Sequence, residues 1–218
     1  PKISYMNDIA NLCELVGANI EDVAEGMKYD DRIGANFLKA GIGYGGSCFP
    51  KDTKALKYLA KQYGYTLKTV EAAVDVNTNQ KVKLYKKACD RLITFNGLKV
   101  AVLGLTFKPG TDDLREAPSL DNVELLLKQG AKIYAYDPIG EDNFKKKYPN
   151  EIIYVNNPED ALKDANVCFI FTEWNEIKGI KPSTYSKLMK TPLVYDGRNI
   201  YDLNKMKESN VEYYSIGR

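Results

Sequence analysis

Cys48 carries the clearest potential for chemistry in this chain. It stands in Gly41-Ile42-Gly43-Tyr44-Gly45-Gly46-Ser47-Cys48-Phe49-Pro50-Lys51-Asp52, where a glycine-rich loop runs into the start of a helix. Four glycines allow sharp backbone turns and close approach to a ligand. Pro50 suits the first helical position, where its missing N–H costs nothing. Cys48 would then face the positive end of a helix with Lys51 beside it, and both effects favour a thiolate nucleophile. Asp52, four residues on, is near enough to orient a water or to hydrogen-bond an oxyanion. The competing reading is a buried cysteine beside a structural turn; the glycines, the proline and the Lys51/Asp52 pair favour the nucleophile.

Whatever activates Cys48 is not a histidine, because the chain has none, and a Cys–His dyad within it is excluded. The other cysteines, Cys13, Cys89 and Cys168, are widely spaced and form no C-x-x-C pair, so no metal site or disulfide framework is expected. A reduced, cytoplasmic setting follows. With 31 basic and 29 acidic residues the net charge is +2, which argues against a nucleic-acid partner. The longest apolar runs, such as Val167–Phe171, are too short to span a membrane.

The elements that must position Cys48 fall into two parts. Residues 1–95 read as all-helical apart from a loop around 29–50. Ile3, Met6, Ile9, Ala10, Leu12, Cys13 and Val16 cover more than one face, so the first helix should be buried on two sides. Gly17 should end it and Asn19 should cap the next. Thr66 is expected to begin one long helix carrying Val70, Val74, Asn77, Leu84, Ala88 and Leu92. Asn96-Gly97 marks the boundary. Residues 96–218 alternate short apolar strands with helices, and the fold class is α/β: a helical domain followed by a Rossmann-like, doubly wound parallel sheet.

Ligands of such sheets bind beyond the carboxyl ends of the strands, here at Thr106–Arg115, Thr172–Trp174 and Asp196–Asn199. The strand ending at Gly104 meets no second glycine before Gly110, so no G-x-G-x-x-G is present. Lys108 and Arg198, each just past a strand end, could grip phosphate oxygens by charge. Trp174, the sole tryptophan, either stacks on a base or closes the core. Lys145–Lys147 reads as a solvated helix face.

These segments resemble the UDP-glucose 6-dehydrogenase family. The resemblance rests on Asp31-Arg32-Ile33-Gly34, Phe37-Leu38-Lys39-Ala40, Gly43 to Asp52, Gly104 to Glu116, Tyr136-Asp137-Pro138, Thr172-Glu173-Trp174 and Asp196-Gly197-Arg198-Asn199, in order along the whole chain. It implies NAD-dependent, four-electron oxidation of UDP-glucose to UDP-glucuronate. Cys48 would form a thiohemiacetal and then a thioester, and Asp52 would hold the hydrolytic water. Phe37, Leu38, Lys39 and the Tyr44-Gly45 backbone would line the sugar and diphosphate, and Phe107, Lys108 and Arg198 would hold the UDP-sugar. Arg32 would reach a neighbouring subunit's substrate, implying a homodimer built on the first helix. Lys51 and Arg115 would point toward NAD. The family's separate NAD-binding domain is missing from this sequence, so the chain is expected to be a C-terminal fragment that does not turn over alone. GDP-mannose dehydrogenases share the Gly-Gly-Ser-Cys-x-Pro-Lys-Asp stretch, but Asp31–Gly34 and Phe37–Ala40 favour the UDP-glucose branch. A non-enzymatic nucleotide-sugar sensor and a thiol redox protein are the competing classes; the latter needs a resolving cysteine, and none is close in sequence.

Overall fold

The computed structural model describes residues 1–218. Five helices come first: α1 (Lys2–Val16), α2 (Ile20–Lys28), α3 (Cys48–Gln62), α4 (Lys68–Lys81) and α5 (Lys83–Arg91). Gly17 closes α1 in the left-handed region (φ 74°), from which its N–H reaches the Cys13 carbonyl. Asn19 opens α2 by accepting the Glu21 N–H, with Glu21 and Asp22 in the positive first turn.

Three expectations are corrected here. The single helix from Thr66 is two, interrupted at Val82 (φ −101°, ψ 9°), and its N-cap is Leu67. The Asn122 amide donates to the Lys81 carbonyl at 2.7 Å, capping the break from outside. The helix at the glycine loop begins at Cys48, so Pro50 is its third residue, still within the turn that has free N–H groups. And α1 is covered on one side only. It buries Ser4, Met6, Asn7, Ala10 and Cys13, while Leu15 is 84% exposed and Tyr5, Leu12 and Val16 are also bare.

Six strands follow: β1 (Lys99–Leu103), β2 (Lys132–Tyr136), β3 (Ile152–Tyr154), β4 (Val167–Ile170), β5 (Leu193–Asp196) and β6 (Glu212–Tyr214). All pair in parallel, in the order β3-β2-β1-β4-β5-β6. The connecting helices are α6 (Pro118–Lys128), α7 (Glu141–Lys147), α8 (Pro158–Leu162), α9 (Asn175–Lys178), α10 (Pro182–Leu188) and α11 (Leu203–Glu208). The short α9 has no periodic signal in the sequence. Lys145–Lys147 lie exposed on α7.

Strand side chains alternate between the two faces. Val100, Val102, Phe169 and Tyr195 face a core that continues through Ile42, Leu84 and Ala88 to Met6 and Ala10 of α1. The helical segment therefore packs directly onto one face of the sheet. Ala101, Leu103, Cys168, Ile170 and Val194 face a second core with Tyr185 and Met206.

Strand order reverses between β1 and β4, and this opens a crevice at their carboxyl ends. Part of it is closed by Trp174, 8% exposed, whose indole N–H donates to Asp137 at 3.0 Å. Of the two roles open to Trp174, it closes the core. The same carboxylate accepts the Leu105 N–H at 2.6 Å and the Gly140 N–H at 2.7 Å, so it ties the turns after β1 and β2 together. Gly104 leaves β1 at φ 86°, and a Cβ there would lie 2.5 Å from the Thr172 Cβ.

Replacing Trp174 with Phe should keep the ring packing but lose the donor to Asp137. We expect a loss of about 1–3 kcal/mol in urea unfolding; unchanged stability would show that this bond adds nothing.

Candidate functional site

The glycine loop has little regular hydrogen bonding of its own, and side chains from the helices supply the partners. The Gly41 N–H donates to Asn7 Oδ1 at 2.9 Å, and Gln80 Nε2 donates to the Gly41 carbonyl at 2.7 Å. Asn77 pairs with Tyr44 on both sides, accepting its N–H at 2.8 Å and donating to its carbonyl at 3.1 Å. The sheet holds the other side of the loop: the Ile42 N–H donates to the Gly197 carbonyl at 2.8 Å, and the Gly46 N–H to the Arg115 carbonyl at 2.7 Å. Such close seating explains two of the glycines. A Cβ on Gly43 (φ 94°) would lie 2.8 Å from Asn77 Oδ1, and one on Gly45 would lie 2.5 Å from the Glu116 carbonyl oxygen.

Arg198 joins these parts. Its Nε donates to the Phe171 carbonyl at 2.7 Å, and its two terminal nitrogens donate to the carbonyls of Gly43 (3.2 Å) and Phe107 (3.1 Å). One guanidinium thus binds the ends of β4 and β1 to the glycine loop. Burial lowers its pKa, and the Glu173 and Asp196 carboxylates oppose that shift. Its side chain remains 14% exposed, at the wall of a cavity.

That cavity, about 360 Å³, gathers most of the residues singled out in the sequence: Phe37, Lys39, Tyr44, Gly45, Phe107, Lys108 and Arg198. Ile3 and Asn7 of α1, Phe49 of α3 and Glu173 beyond β4 complete much of the lining. Phe37 is 58% exposed and holds φ 66°, an uncommon conformation for a bulky residue. Its ring meets Phe49 edge-on at 6.4 Å, and Phe49 meets Tyr44 at 5.8 Å. Lys39 and Lys108 are exposed and form no ion pair within the chain. The cavity therefore offers three cations and a wall of aromatic rings.

Other expected site residues lie elsewhere. The Leu38 side chain, 5% exposed, packs in the main core and does not line this cavity. Arg32 is not in the cavity wall; 90% exposed, its guanidinium forks onto Asp30 at 2.6 and 2.9 Å. Arg115 likewise forks onto Asp113, at 2.8 and 2.9 Å, and is solvent-facing.

Cys48 is exposed in the first turn of α3, with Ser47 Oγ 3.8 Å from its sulfur. Lys51 and Asp52 follow one turn on, both exposed. The cavity reaches this helix at Phe49 rather than at Cys48 itself. Glu116 (φ 56°) braces the helix from the sheet side, pairing with Lys54 of α3 and Lys81 of α4, each at 2.8 Å. Those two ammonium groups hold its carboxyl down to about 2, from an ordinary 4.5.

The sheet has the strand order of a dinucleotide-binding fold, but its residues do not fit a dinucleotide. Fourteen residues separate β1 from α6, no glycine lies between Gly104 and Gly110, and the Asp137 carboxylate is taken by the β1 turn and Trp174. The backbone cannot bring a pyrophosphate onto the α6 N-terminus in the usual way.

Sequence reasoning passed over Asn7, Asn77, Gln80, Glu116 and Glu173 as site residues. The three amides did leave a signal, since they are polar residues at inward positions of amphipathic helices, where an unpaired amide is costly.

Two family descriptions match the chain. Residues 1–79 match the central domain, and residues 101–203 the UDP-binding domain, of the UDP-glucose/GDP-mannose dehydrogenase family. Two relatives from Bacillus subtilis (strain 168), the UDP-glucose 6-dehydrogenases YwqF and TuaD, are 48% and 44% identical over 217 residues and align with 100% of this chain. The chain spans about half their length, 49% and 47%. A solved UDP-glucose dehydrogenase from Pyrobaculum islandicum superposes with a TM-score of 0.87 at 32% identity, covering 98% of this chain and 47% of that one.

Two tests address the loop and its brace. Asn77→Leu leaves the Tyr44 N–H and carbonyl unpaired and should cost about 1–3 kcal/mol in chemical denaturation; a neutral result would remove Asn77 from the support. The Glu116 carboxyl has a folded pKa below its unfolded value, so its contribution is present above about 4.5 and fades as pH falls toward 2. The melting-temperature gap between the native chain and Glu116→Gln should therefore be wide at neutral pH and narrow under acid conditions. An equal gap throughout would contradict the ion-pair brace.

Proposed function

The chain belongs to the UDP-glucose/GDP-mannose dehydrogenase family, and we propose that it forms the part of a UDP-glucose 6-dehydrogenase that holds the nucleotide sugar and carries the nucleophile. The observation that carries this reading is the single cavity shared by the glycine loop and the strand-end segments, with Lys39, Lys108 and Arg198 on its wall. A diphosphate presents only acceptor oxygens and negative charge, and these cations supply both donors and charge. The rings of Phe37, Tyr44, Phe49 and Phe107 supply flat apolar surface for a base or a pyranose face.

Cys48 acts where the cavity meets α3. Its sulfur adds to the aldehyde carbon at C6 of the hexose, and the carbonyl oxygen takes a proton. Bound nicotinamide would accept two hydrides from C6, one that turns the C6 alcohol into that aldehyde and one from the adduct; each time the hydroxyl proton also leaves, and the second loss gives a thioester. Water oxygen then bonds to the carbonyl carbon, the C–S bond breaks, and the carboxylate leaves with Cys48 returned as thiolate. A thiolate suits both halves because it adds readily and leaves readily. Asp52, one turn along the same helix, accepts the proton of the attacking water. NAD, the hydride acceptor implied by the resemblance, has no seat on this sheet, and Lys51 and Arg115 are the residues proposed to face it.

The bare stripe of Tyr5, Leu12, Leu15 and Val16 on α1 is the proposed homodimer surface, and Arg32 is the residue proposed to cross to the neighbouring site. The proposed division is into residues 1–95 and 96–218; it is supported by the matched regions, 1–79 and 101–203, falling on opposite sides of it. No helix is long and apolar enough to cross a membrane.

Calorimetry of the chain with UDP should give one site per chain, with loss of at least tenfold in affinity for Lys108→Ala, as expected for a charge-assisted contact. No measurable heat with UDP would overturn the cavity assignment. In the complete enzyme, Cys48→Ser should abolish net conversion to the acid. Full turnover by that variant would remove Cys48 from the mechanism.

A further inference from the structure

We infer that Glu173 reads hydroxyl groups of the bound nucleotide sugar and so determines specificity; this rests on the nucleotide-sugar reading of the cavity. Glu173 follows β4 at the reversal of strand order and is the one acidic residue on the cavity wall, among Lys39, Lys108 and Arg198. No protein group donates a hydrogen bond to it. Its Oε2 is turned inward and accepts no hydrogen bond, while the side chain as a whole is 31% exposed. Arg198 Nε lies 3.3 Å from that oxygen but is directed to the Phe171 carbonyl at 2.7 Å.

A carboxylate on a cavity wall that accepts no hydrogen bond from the protein has acceptor capacity left for a ligand donor. A diphosphate cannot, because it has only acceptors and carries the same charge. Uracil offers a single N–H flanked by two carbonyl oxygens, which would oppose a carboxylate. The remaining donors are O–H groups, and adjacent hydroxyls present two of them to the two oxygens of one carboxylate. In dinucleotide-binding sheets an acid after β2 takes a ribose hydroxyl. Here the acid after β2, Asp137, is saturated by Leu105, Thr106, Gly140 and Trp174. Glu173, beyond the end of β4, is ion-paired with Arg198 but accepts no hydrogen bond, and it is the acid available for that task.

The hydroxyls come either from the ribose or from the hexose, and calorimetry on the chain separates them. UDP, 2′-deoxy-UDP and UDP-glucose are titrated into the native chain, Glu173→Leu and Glu173→Gln. With ribose as the source, the native chain binds UDP about tenfold more tightly than 2′-deoxy-UDP, Glu173→Leu brings the ratio near one, and Glu173→Gln, which keeps one acceptor oxygen, falls between. With the hexose as the source, the advantage of UDP-glucose over UDP shrinks in the variants and the deoxy ratio stays flat. If Glu173 acts only by positioning Arg198, the variants weaken all three ligands by the same factor, and the inference is overturned. Absence of UDP binding by the native chain would overturn the cavity reading and this inference with it. Heat with UDP but unchanged ratios in the variants would overturn this inference alone.

Discussion

The Arg198 guanidinium is the joint on which the site depends. A buried cation needs acceptors, and Arg198 takes three of them from backbone carbonyls at Phe171, Gly43 and Phe107. These belong to segments far apart in sequence: the turns after β4 and β1, and the glycine loop. Because the guanidinium is planar and its donors have fixed directions, it sets the spacing of those segments as well as joining them. Asp196 fixes the turn that presents Arg198, accepting the Arg198 and Ile200 N–H groups, each at 2.7 Å. A residue that the sequence offered as a phosphate grip thus has a second task, and its remaining exposure on the cavity wall is small.

Around that joint the glycine loop is held by amides. Asn7, Asn77 and Gln80 provide donor and acceptor together, as a neighbouring strand would, yet they project from helices. This lets a segment with little regular structure of its own approach both a helix layer and a sheet edge. The glycines follow from the same crowding, since a Cβ at Gly43 or Gly45 would strike the groups that hold the loop. Glu116 extends the support to α3 and α4 through two lysines, so the helix that carries Cys48 is braced against the sheet.

Much of this organisation was legible in the sequence, for identifiable reasons. Short apolar runs separated by amphipathic helices announce a parallel sheet, and all six strands do pair in parallel. Gly17 and Asn19 act as the stop and the cap that their types suggest. The break at Val82 was not legible, because it is stabilised by Asn122, a residue 40 positions away. The positive φ at Phe37 was not legible either, because at a phenylalanine it has no local signature. The bare side of α1 could not be told from a buried one, since apolar residues on two faces fit either. Glu173 was passed over because its interest lies in what it lacks, a hydrogen-bond donor, and that is visible only in three dimensions.

The central claim is that one cavity, between the glycine loop and the carboxyl ends of β1, β4 and β5, takes a nucleotide sugar and directs its hexose toward α3. A crystal structure of the chain soaked with UDP-glucose tests this most directly. The account predicts density for the diphosphate between Lys108 and Arg198, with the hexose running past Phe49 toward Cys48. Density on another face of the sheet, or a hexose pointing away from α3, would contradict it.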